Sequence, residues 1–223
     1  MQIMKRTIVL LFLASTLVCR KNETVKTRSD IEQLAQILES PDRKAWQKPD
    51  EVIAMLKLHK GDIVADIGAG TGYFARRFAE AVSPDGISFA YDKDPLMVEY
   101  MQLDAERHKL SENYRAEVIQ AGNLKLRSKY FHLIFLCNTI QYLQNRPIYF
   151  RQLSGSLRKD GRIVVIDFKR LEKIDEESGE SPANLVDKST VVEEFKQAGF
   201  KLVNDWDILP SQYFLEFQVK HQK

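Results

Sequence analysis

The sequence predicts a three-layer α/β fold with a mostly parallel central sheet, and two features of its pattern support this. From Ile31 onward, short apolar runs rich in β-branched residues alternate with amphipathic stretches, which is typical of strands joined by crossover helices. The last two runs are joined only by Asp207, Ile208, Leu209, Pro210, Ser211 and Gln212. A connection that short requires antiparallel pairing, so the sheet ends in a hairpin.

Each predicted strand is short enough to be buried in a sheet. The seven strands are predicted at residues 63–67, 87–91, 116–120, 133–137, 163–168, 201–206 and 213–219. Helices are predicted at residues 31–38, 50–58, 73–82, 96–109, 147–157 and 190–197. We expect Ser189 to cap the last helix and Gly199 to end it, because these residue types are favoured at those positions. Residues 172–182 are predicted to form a mobile loop.

The first residues of the chain are typical of a targeting segment. Lys5 and Arg6 precede an apolar run over residues 7–18 that ends at Cys19. The run is shorter than the roughly 20 residues that cross a bilayer as a helix. We therefore expect a signal peptide or lipoprotein-type signal at residues 1–19, a polar tether at 20–29 and one domain at 30–223. The protein would then be exported or membrane-anchored, as a periplasmic lipoprotein if Cys19 is lipidated, and cytoplasmic if the segment is not a functional signal.

Composition narrows the classes of partner. The net charge is +2 and no long basic run is present, which argues against a nucleic-acid partner. The two cysteines, Cys19 and Cys137, are too few for a disulfide framework and lack the spacing of a zinc site, so we expect no metal. A small molecule is the expected partner, and the sequence does not indicate an oligomeric state.

A glycine-rich turn follows the first predicted strand. Gly68, Gly70 and Gly72 are spaced G-x-G-x-G, with Asp66 two residues before the first of them. Glycines there allow positive φ angles and close approach of a ligand to the backbone, and the following helix offers free N–H groups. A carboxylate beside the turn suits a cofactor that carries an ammonium group. A nucleotide-like cofactor other than a dinucleotide is therefore predicted, since dinucleotide enzymes use G-x-G-x-x-G.

A second carboxylate supports this interpretation. Asp92 ends the second strand 20 residues after Gly72, where such folds place an acidic side chain against the two ribose hydroxyls. The competing interpretation is that Asp92 caps the helix near Pro95, although Asp94 is equally placed for that role.

With these motifs the chain resembles the class I S-adenosylmethionine-dependent methyltransferases, especially the small-molecule and quinone-type branch. The resemblance runs from about Arg43 to Val219 and implies a Rossmann-like fold with a reversed C-terminal strand. It implies that Asp66 and the turn of Gly68, Gly70 and Gly72 hold the methionine part of S-adenosyl-L-methionine, that Asp92 binds the ribose, and that Gly122 and Asn123 lie at the adenine. The family commonly has Asp at Asn123 and at His132, and we interpret His132 as a structural residue at a strand end.

Polar residues after the fourth strand are candidates for the acceptor site. Asn138 and Tyr142 follow Cys137, beside the point where open α/β sheets bind ligands. We expect Asn138 to orient the substrate and Tyr142 to supply a hydroxyl or an aromatic wall, while Cys137 is expected to be a buried apolar residue. Arg43, Trp46 and Gln47 lie in a short lead-in segment, which in the resembled family often folds over the cofactor. The resemblance therefore implies that Trp46 and Gln47 form part of a lid, and the alternative is that Trp46 anchors the segment to the core.

The predicted activity is methyl transfer to a small-molecule acceptor, and two alternatives stand beside it. One is an exported binding protein that keeps the fold without turnover, because the methyl donor is made in the cytosol. The other is an NAD(P)-dependent oxidoreductase, against which both the glycine spacing and the C-terminal hairpin argue.

Overall fold

A seven-stranded sheet organises the chain. The computed structural model describes residues 26–120, 124–169 and 185–220. The strand order is β3-β2-β1-β4-β5-β7-β6, and β7 runs antiparallel to both of its neighbours. The other neighbouring pairs are parallel. This is the predicted mostly parallel sheet with a reversed last strand.

The bounds of the elements are as follows. The strands are β1 Ile63–Ile67, β2 Ile87–Asp92, β3 Tyr114–Val118, β4 Phe131–Cys137, β5 Leu157–Phe168, β6 Phe200–Trp206 and β7 Gln212–Val219. The helices are α1 Arg28–Leu38, α2 Arg43–Gln47, α3 Pro49–Leu56, α4 Tyr73–Val82, α5 Pro95–Arg107, α6 Arg146–Ser154 and α7 Lys188–Gln197, with a short 3₁₀ turn at Ile140–Tyr142.

Alternate residues of the central strands pack into separate apolar clusters. In β4, Ile134 and Leu136 pack in one cluster with residues of α6 and α7, whereas Leu133 and Phe135 pack in another with residues of α3 and α4. Because successive side chains of a strand point to opposite faces, the two clusters lie on opposite sides of the sheet. Burial on both faces explains why the strands appear as continuous apolar runs.

A stack of aromatic rings joins two helices to the C-terminal hairpin. The ring of Phe195 in α7 lies 3.9 Å from the ring centroid of Phe150 in α6 and 3.9 Å from that of Phe217 in β7. All three side chains are fully buried. The stack therefore holds the reversed strand β7, which carries part of the site described below, against the parallel sheet.

The structure differs from the predicted elements at several boundaries. Strand β5 begins at Leu157, and the sequence concealed this start because the charged residues 158–160 are exposed beside an irregular register opposite β4. Strand β3 begins two residues earlier than predicted because Tyr114 already pairs with Ser88 of β2. The prediction that Ser189 caps the last helix is wrong: α7 already includes it, and Asp187 is the N-cap residue.

The first described helix starts inside the predicted tether. A capping box between Thr27 and Asp30 begins α1 at Arg28. The predicted signal at residues 1–19 and the predicted loop at 172–182 lie outside the described residues. Within the described ranges, no helix is both long and apolar enough to cross a membrane.

The Phe195→Ala variant is expected to lower the free energy of unfolding by about 3–5 kcal/mol, because it removes the middle ring of the buried stack. Urea denaturation followed by circular dichroism measures the change. Phe195→Leu keeps most of the buried volume and serves as the matched control, with a smaller loss. Equal losses in the two variants would contradict a specific contribution from ring stacking.

Candidate functional site

A cavity of about 640 Å³ opens where the carboxyl ends of β1, β2 and β4 meet. The strand order places β1 between β2 and β4. The chain after β1 therefore continues toward β2, whereas the chain after β4 continues toward β5, and a crevice forms between the two connections. All but two of the predicted site residues line this cavity or belong to its turn. The lining includes Asp66, Gly68, Gly70, Asp92, Asn138 and Tyr142.

The glycine turn forms one wall of the cavity. Gly68, Gly70 and Gly72 have φ angles of +74°, +57° and +81°, in the left-handed region that disfavours other residues. The N–H groups of Gly68 and Ala69 donate to the carbonyl oxygen of Tyr91 at 2.8 and 3.0 Å. A Cβ atom at Gly68 would lie 2.6 Å from the Thr139 hydroxyl oxygen. The turn therefore requires glycine for its conformation and for its packing.

Asp92 connects the turn to the end of β2. Its Oδ2 accepts a hydrogen bond from the Gly70 N–H at 2.9 Å, and its Oδ1 accepts from the Asp94 N–H at 3.0 Å. Burial raises the pKa of Asp92, and these two hydrogen bonds oppose the shift. Asp94 accepts from the Leu96 N–H and so caps α5. The helix-capping role thus belongs to Asp94, which leaves Asp92 as a carboxylate on the cavity wall.

Asp66 is the most deeply buried carboxylate of the cavity. It is 3% exposed, and burial raises its pKa to about 7. The nearby guanidinium of Arg43 opposes this shift, and the charge of Asp92 adds to it. A carboxylate in this state gains strongly from a cationic ligand, because the added charge offsets the desolvation that opposes its ionisation.

The lead-in segment, residues 39–47 from the end of α1 through α2, is fixed to the glycine turn by polar contacts. Glu39 accepts hydrogen bonds from the Thr71 hydroxyl at 2.6 Å and from Arg76 at 2.8 Å. The Trp46 side chain is 1% exposed and packs on Phe168, with ring centroids 5.6 Å apart. Of the two alternatives for Trp46, the structure therefore favours the anchor over the lid.

Arg43 brings a positive charge from the lead-in segment to the cavity. It is 7% exposed and lines the cavity. Its guanidinium carbon lies 3.8 Å from the ring centroid of Tyr73, and it donates to the Leu38 carbonyl at 2.6 Å. The lead-in segment thus contributes a cation to a cavity whose other charged lining residues are three aspartates and two lysines, namely Asp66, Asp92, Asp94, Lys26 and Lys93.

The opposite wall follows β4. Asn138 has a φ of +55°, and its N–H donates to the Ile166 carbonyl at 2.9 Å. Tyr142 lies on the 3₁₀ turn and is 45% exposed. Asp167 of β5 accepts from the Ile140 N–H at 3.1 Å and so holds this turn in place, while burial raises the pKa of Asp167 to about 7. The structure thus brings both predicted acceptor-site residues to the same cavity as the glycine turn.

Neither His132 nor Cys137 is placed as a catalytic residue, although Cys137 lines the cavity and is only partly buried, in contrast to the expected full burial. His132 lies at the start of β4, away from the cavity, where its Nδ1 accepts from the Ile63 N–H at 2.9 Å. This agrees with the structural interpretation of His132. Burial raises the pKa of the Cys137 thiol well above its usual range, which does not favour a nucleophilic role. No group of potential metal ligands occurs among the described residues.

Gly122 and Asn123 lie outside the described residues, so their predicted contact with adenine stays a prediction.

Two residues at or next to the site were not predicted from the sequence. Lys26, whose Nζ lies 2.6 Å from Asp94 Oδ2, and Gln212, at the start of β7, were missed. No sequence signal marks either residue, because each reaches the site through packing between distant segments.

The sheet order with antiparallel β7, together with a glycine turn between two carboxylates, defines the class of S-adenosylmethionine-dependent methyltransferase folds. A family model described as a methyltransferase domain matches residues 58–210. The chain belongs to this methyltransferase domain family, and S-adenosyl-L-methionine is the methyl donor that the family implies.

Curated relatives cover parts of the chain. It is 24% identical over 127 residues to the ubiquinone/menaquinone biosynthesis C-methyltransferase UbiE of Francisella tularensis, a match to 57% of this chain and 50% of that protein. It is 47% identical over 47 residues to the ribosomal RNA small subunit methyltransferase H of Desulfosudis oleivorans, a match to 21% of this chain and 15% of that protein. The matched stretches thus span half or less of these relatives.

Solved structures share the fold. A SAM-dependent methyltransferase from Aquifex aeolicus superimposes with a TM-score of 0.76 at 19% identity, covering 87% of this chain and 100% of that one. The [4+2]-cyclase SpnF superimposes with a TM-score of 0.63 at 18% identity, covering 73% of this chain and 60% of that one. Because SpnF is a cyclase, the fold by itself does not identify the reaction, which has to be argued from the site.

The Gly72→Ala variant is expected to lose about 2–5 kcal/mol of unfolding free energy, because of its positive φ and a steric clash. The new Cβ would lie 1.9 Å from the Tyr114 hydroxyl oxygen. That buried hydroxyl has no hydrogen-bond partner among the described residues. Tyr114→Phe should therefore be tolerated alone and should recover part of the loss when combined with Gly72→Ala. Gly155→Ala, at a φ of −67°, is the control. Thermal unfolding of Gly72→Ala, Tyr114→Phe, the double variant and Gly155→Ala measures the effect. If the double variant is no more stable than Gly72→Ala, the proposed clash is contradicted.

The Asp66→Asn variant is expected to change how stability depends on pH. Because the pKa of Asp66 is raised from 3.8 to about 7 on folding, its contribution to stability is full below pH 3.8 and is lost as the pH rises through about 7. Above about pH 7, the variant should therefore exceed the wild type in unfolding free energy by up to about 4 kcal/mol. Urea denaturation at several pH values checks this, and an identical pH profile in both proteins would contradict it.

Proposed function

We propose that this protein transfers the methyl group of S-adenosyl-L-methionine to a small-molecule acceptor bound in the same cavity. The observation that carries the proposal is the sharing of one cavity by the glycine turn with its two carboxylates and by the polar wall of Asn138 and Tyr142. Its volume of about 640 Å³ falls within the range of small-molecule sites.

The residues present fit this cofactor. The three glycines allow close approach to the backbone. Asp66 would hold the ammonium group of the methionine part, and Asp92 would hold the ribose hydroxyls. Asp66 and Asp92 both line the cavity, so each can place a carboxylate against a polar or cationic group of the cofactor.

Bound S-adenosyl-L-methionine supplies a methyl carbon whose leaving group is a neutral thioether. The side chains then have to align the acceptor with that carbon and exclude water. Asn138 and Tyr142 would orient the acceptor, and the apolar side chains of Leu34, Leu38 and Phe168 reduce the water content of the cavity. Neither role requires an acid or a base at the reacting atoms.

The Asp92→Asn variant is expected to bind S-adenosyl-L-methionine about 10- to 100-fold more weakly, because a hydrogen bond to a charged group contributes about 1.5–3 kcal/mol. The amide oxygen can still accept from the Gly70 N–H, so the contact with the turn is retained, while the hydrogen bond from the Asp94 N–H is lost. Calorimetry measures the affinity, and the exposed residue Glu112, changed to Gln, is the matched control. Unchanged affinity in Asp92→Asn would contradict the ribose assignment.

Release of S-adenosylhomocysteine in the presence of acceptor panels distinguishes turnover from binding alone. Turnover supports the enzyme, whereas tight binding of the cofactor without product supports the alternative of a non-catalytic binding protein. Both the family match and antiparallel β7 favour the methyltransferase over the oxidoreductase.

A further inference from the structure

A chain of four polar side chains runs through the protein from the lead-in segment to the acceptor wall. Arg43 donates from Nε to Gln47 Oε1. Gln47 donates from Nε2 to Gln212 Oε1 at 3.1 Å and to Cys137 Sγ at 3.0 Å. Gln212 donates from Nε2 to Asn138 Oδ1 at 2.6 Å. We call Arg43, Gln47, Gln212 and Asn138 the amide relay.

The middle of the amide relay is shielded from water. Gln47 and Gln212 are both 0% exposed, and Arg43 is 7% exposed. The relay joins α2, β7 and the end of β4, so its members are held by three different segments. Because bulk water cannot compensate for a lost partner there, each amide is oriented by its neighbours in the relay.

The direction of the amide relay follows from its first member. A guanidinium can only donate hydrogen bonds, whereas each amide has one accepting and one donating end. The atom of Gln47 that faces Arg43 is therefore its oxygen, which turns its NH₂ group toward Gln212. The same alternation at Gln212 turns its NH₂ group toward Asn138. The oxygen of Asn138 thus faces Gln212, and the Nδ2 group is the donor that this side chain offers to a ligand.

The backbone at Asn138 supports a fixed position. Its φ of +55° is a conformation that asparagine adopts more readily than most residues. Its N–H is bonded to the Ile166 carbonyl, and its side chain lines the cavity. The donor that results therefore has a defined place on the acceptor wall.

The geometry points to an acceptor substrate that presents an oxygen lone pair, in a carbonyl, carboxylate or phenolate-type group, to the Asn138 Nδ2 donor. This inference rests on the proposed function, because it names the substrate class of the same cavity. Gln47 and Gln212 are positioning residues, since they do not line the cavity and act on the substrate through Asn138. A substrate that offers only N–H donors at this point would leave the Nδ2 donor unpaired, which costs about 1–3 kcal/mol for a buried group.

The Gln47→Glu variant tests the direction of the relay. A carboxylate at this position accepts from Arg43 but cannot donate, so Gln212 and then Asn138 must both turn over. The oxygen of Asn138 would then face the cavity, and its Nδ2 would be hydrogen-bonded to Gln212. Gln152→Glu makes the same chemical change on the cavity wall outside the relay and is the matched control.

Hydrogen exchange of the side-chain amide protons, followed by NMR in the ligand-free protein, detects this reversal. Exchange at Asn138 Nδ2 should slow about tenfold or more in Gln47→Glu, because one hydrogen bond is gained, and should stay fast in Gln152→Glu. Slow exchange at Asn138 in the wild type, or no change in Gln47→Glu, would overturn the relay.

Two neutral probes test the substrate class. At millimolar concentration, acetophenone offers only an oxygen acceptor and aniline offers N–H donors. Acetophenone should shift the Asn138 side-chain amide resonance more than aniline in the wild type, and this order should reverse in Gln47→Glu. The assignment would be overturned if aniline shifts this resonance in the wild type as much as acetophenone or more. It would also be overturned if neither probe shifts it. Calorimetry with S-adenosyl-L-methionine on the same variants separates this result from failure of the proposed function. Because Gln47 does not line the cavity, Gln47→Glu should bind the cofactor as the wild type does. Absence of cofactor binding in the wild type would count against the proposed function, whereas the probe results test the substrate class.

Discussion

The hydrogen bond from the Gly70 N–H to the Asp92 carboxylate ties the turn after β1 to the end of β2. The parallel register of these strands, with Ile67 opposite Tyr91, brings the two ends together. The carbonyl of Tyr91 accepts from the first two N–H groups of the turn, and Asp92 accepts from the third residue. Both walls of the cavity depend on this arrangement, because Thr139 of the opposite wall packs directly against Gly68.

The cavity and the turn that carries Tyr142 depend on carboxylates that are costly to ionise in the folded state. Burial raises the pKa values of Asp66 and Asp167 to about 7, so each carboxylate is ionised at neutral pH only against a desolvation penalty. Asp167 recovers part of this cost through backbone N–H groups, and it holds the turn that carries Tyr142. Asp66 has fewer backbone N–H partners, and a cationic ligand would supply the favourable charge interaction that it lacks. Perturbed carboxylates in a cavity are a frequent sign of a functional site.

The N-terminal lead-in and the C-terminal hairpin meet behind the cavity. Gln47 from α2 and Gln212 from β7 are far apart in the chain, and yet they are hydrogen-bonded and fully buried. The antiparallel β7 makes this contact possible, because its reversed direction places its first residue at the carboxyl end of β5. The strand that distinguishes this fold from the dinucleotide-binding enzymes thus also reaches the acceptor wall.

Much of the fold was predictable because it depends on local patterns. The bounds of β1 and α4 were predicted to the residue, since an apolar run and a glycine turn mark them. The start of β5 was not, because its exposed charged residues 158–160 conceal a strand whose pairing is irregular. The capping of α7 was also mispredicted, because Ser189 lies within the first turn of a helix that begins one residue before it.

By itself, the sequence determined the seven strands, every described α-helix except α2, the glycine turn and the carboxylates Asp66 and Asp92, because each has a local signature of periodicity or spacing. It also placed Asn138 and Tyr142 after the fourth strand. Only the tertiary structure decided that Asp94, and not Asp92, caps α5, that Trp46 is an anchor, and that Gln212 reaches Asn138. Such contacts depend on strand order and register, which bring distant residues together without leaving a pattern in the chain.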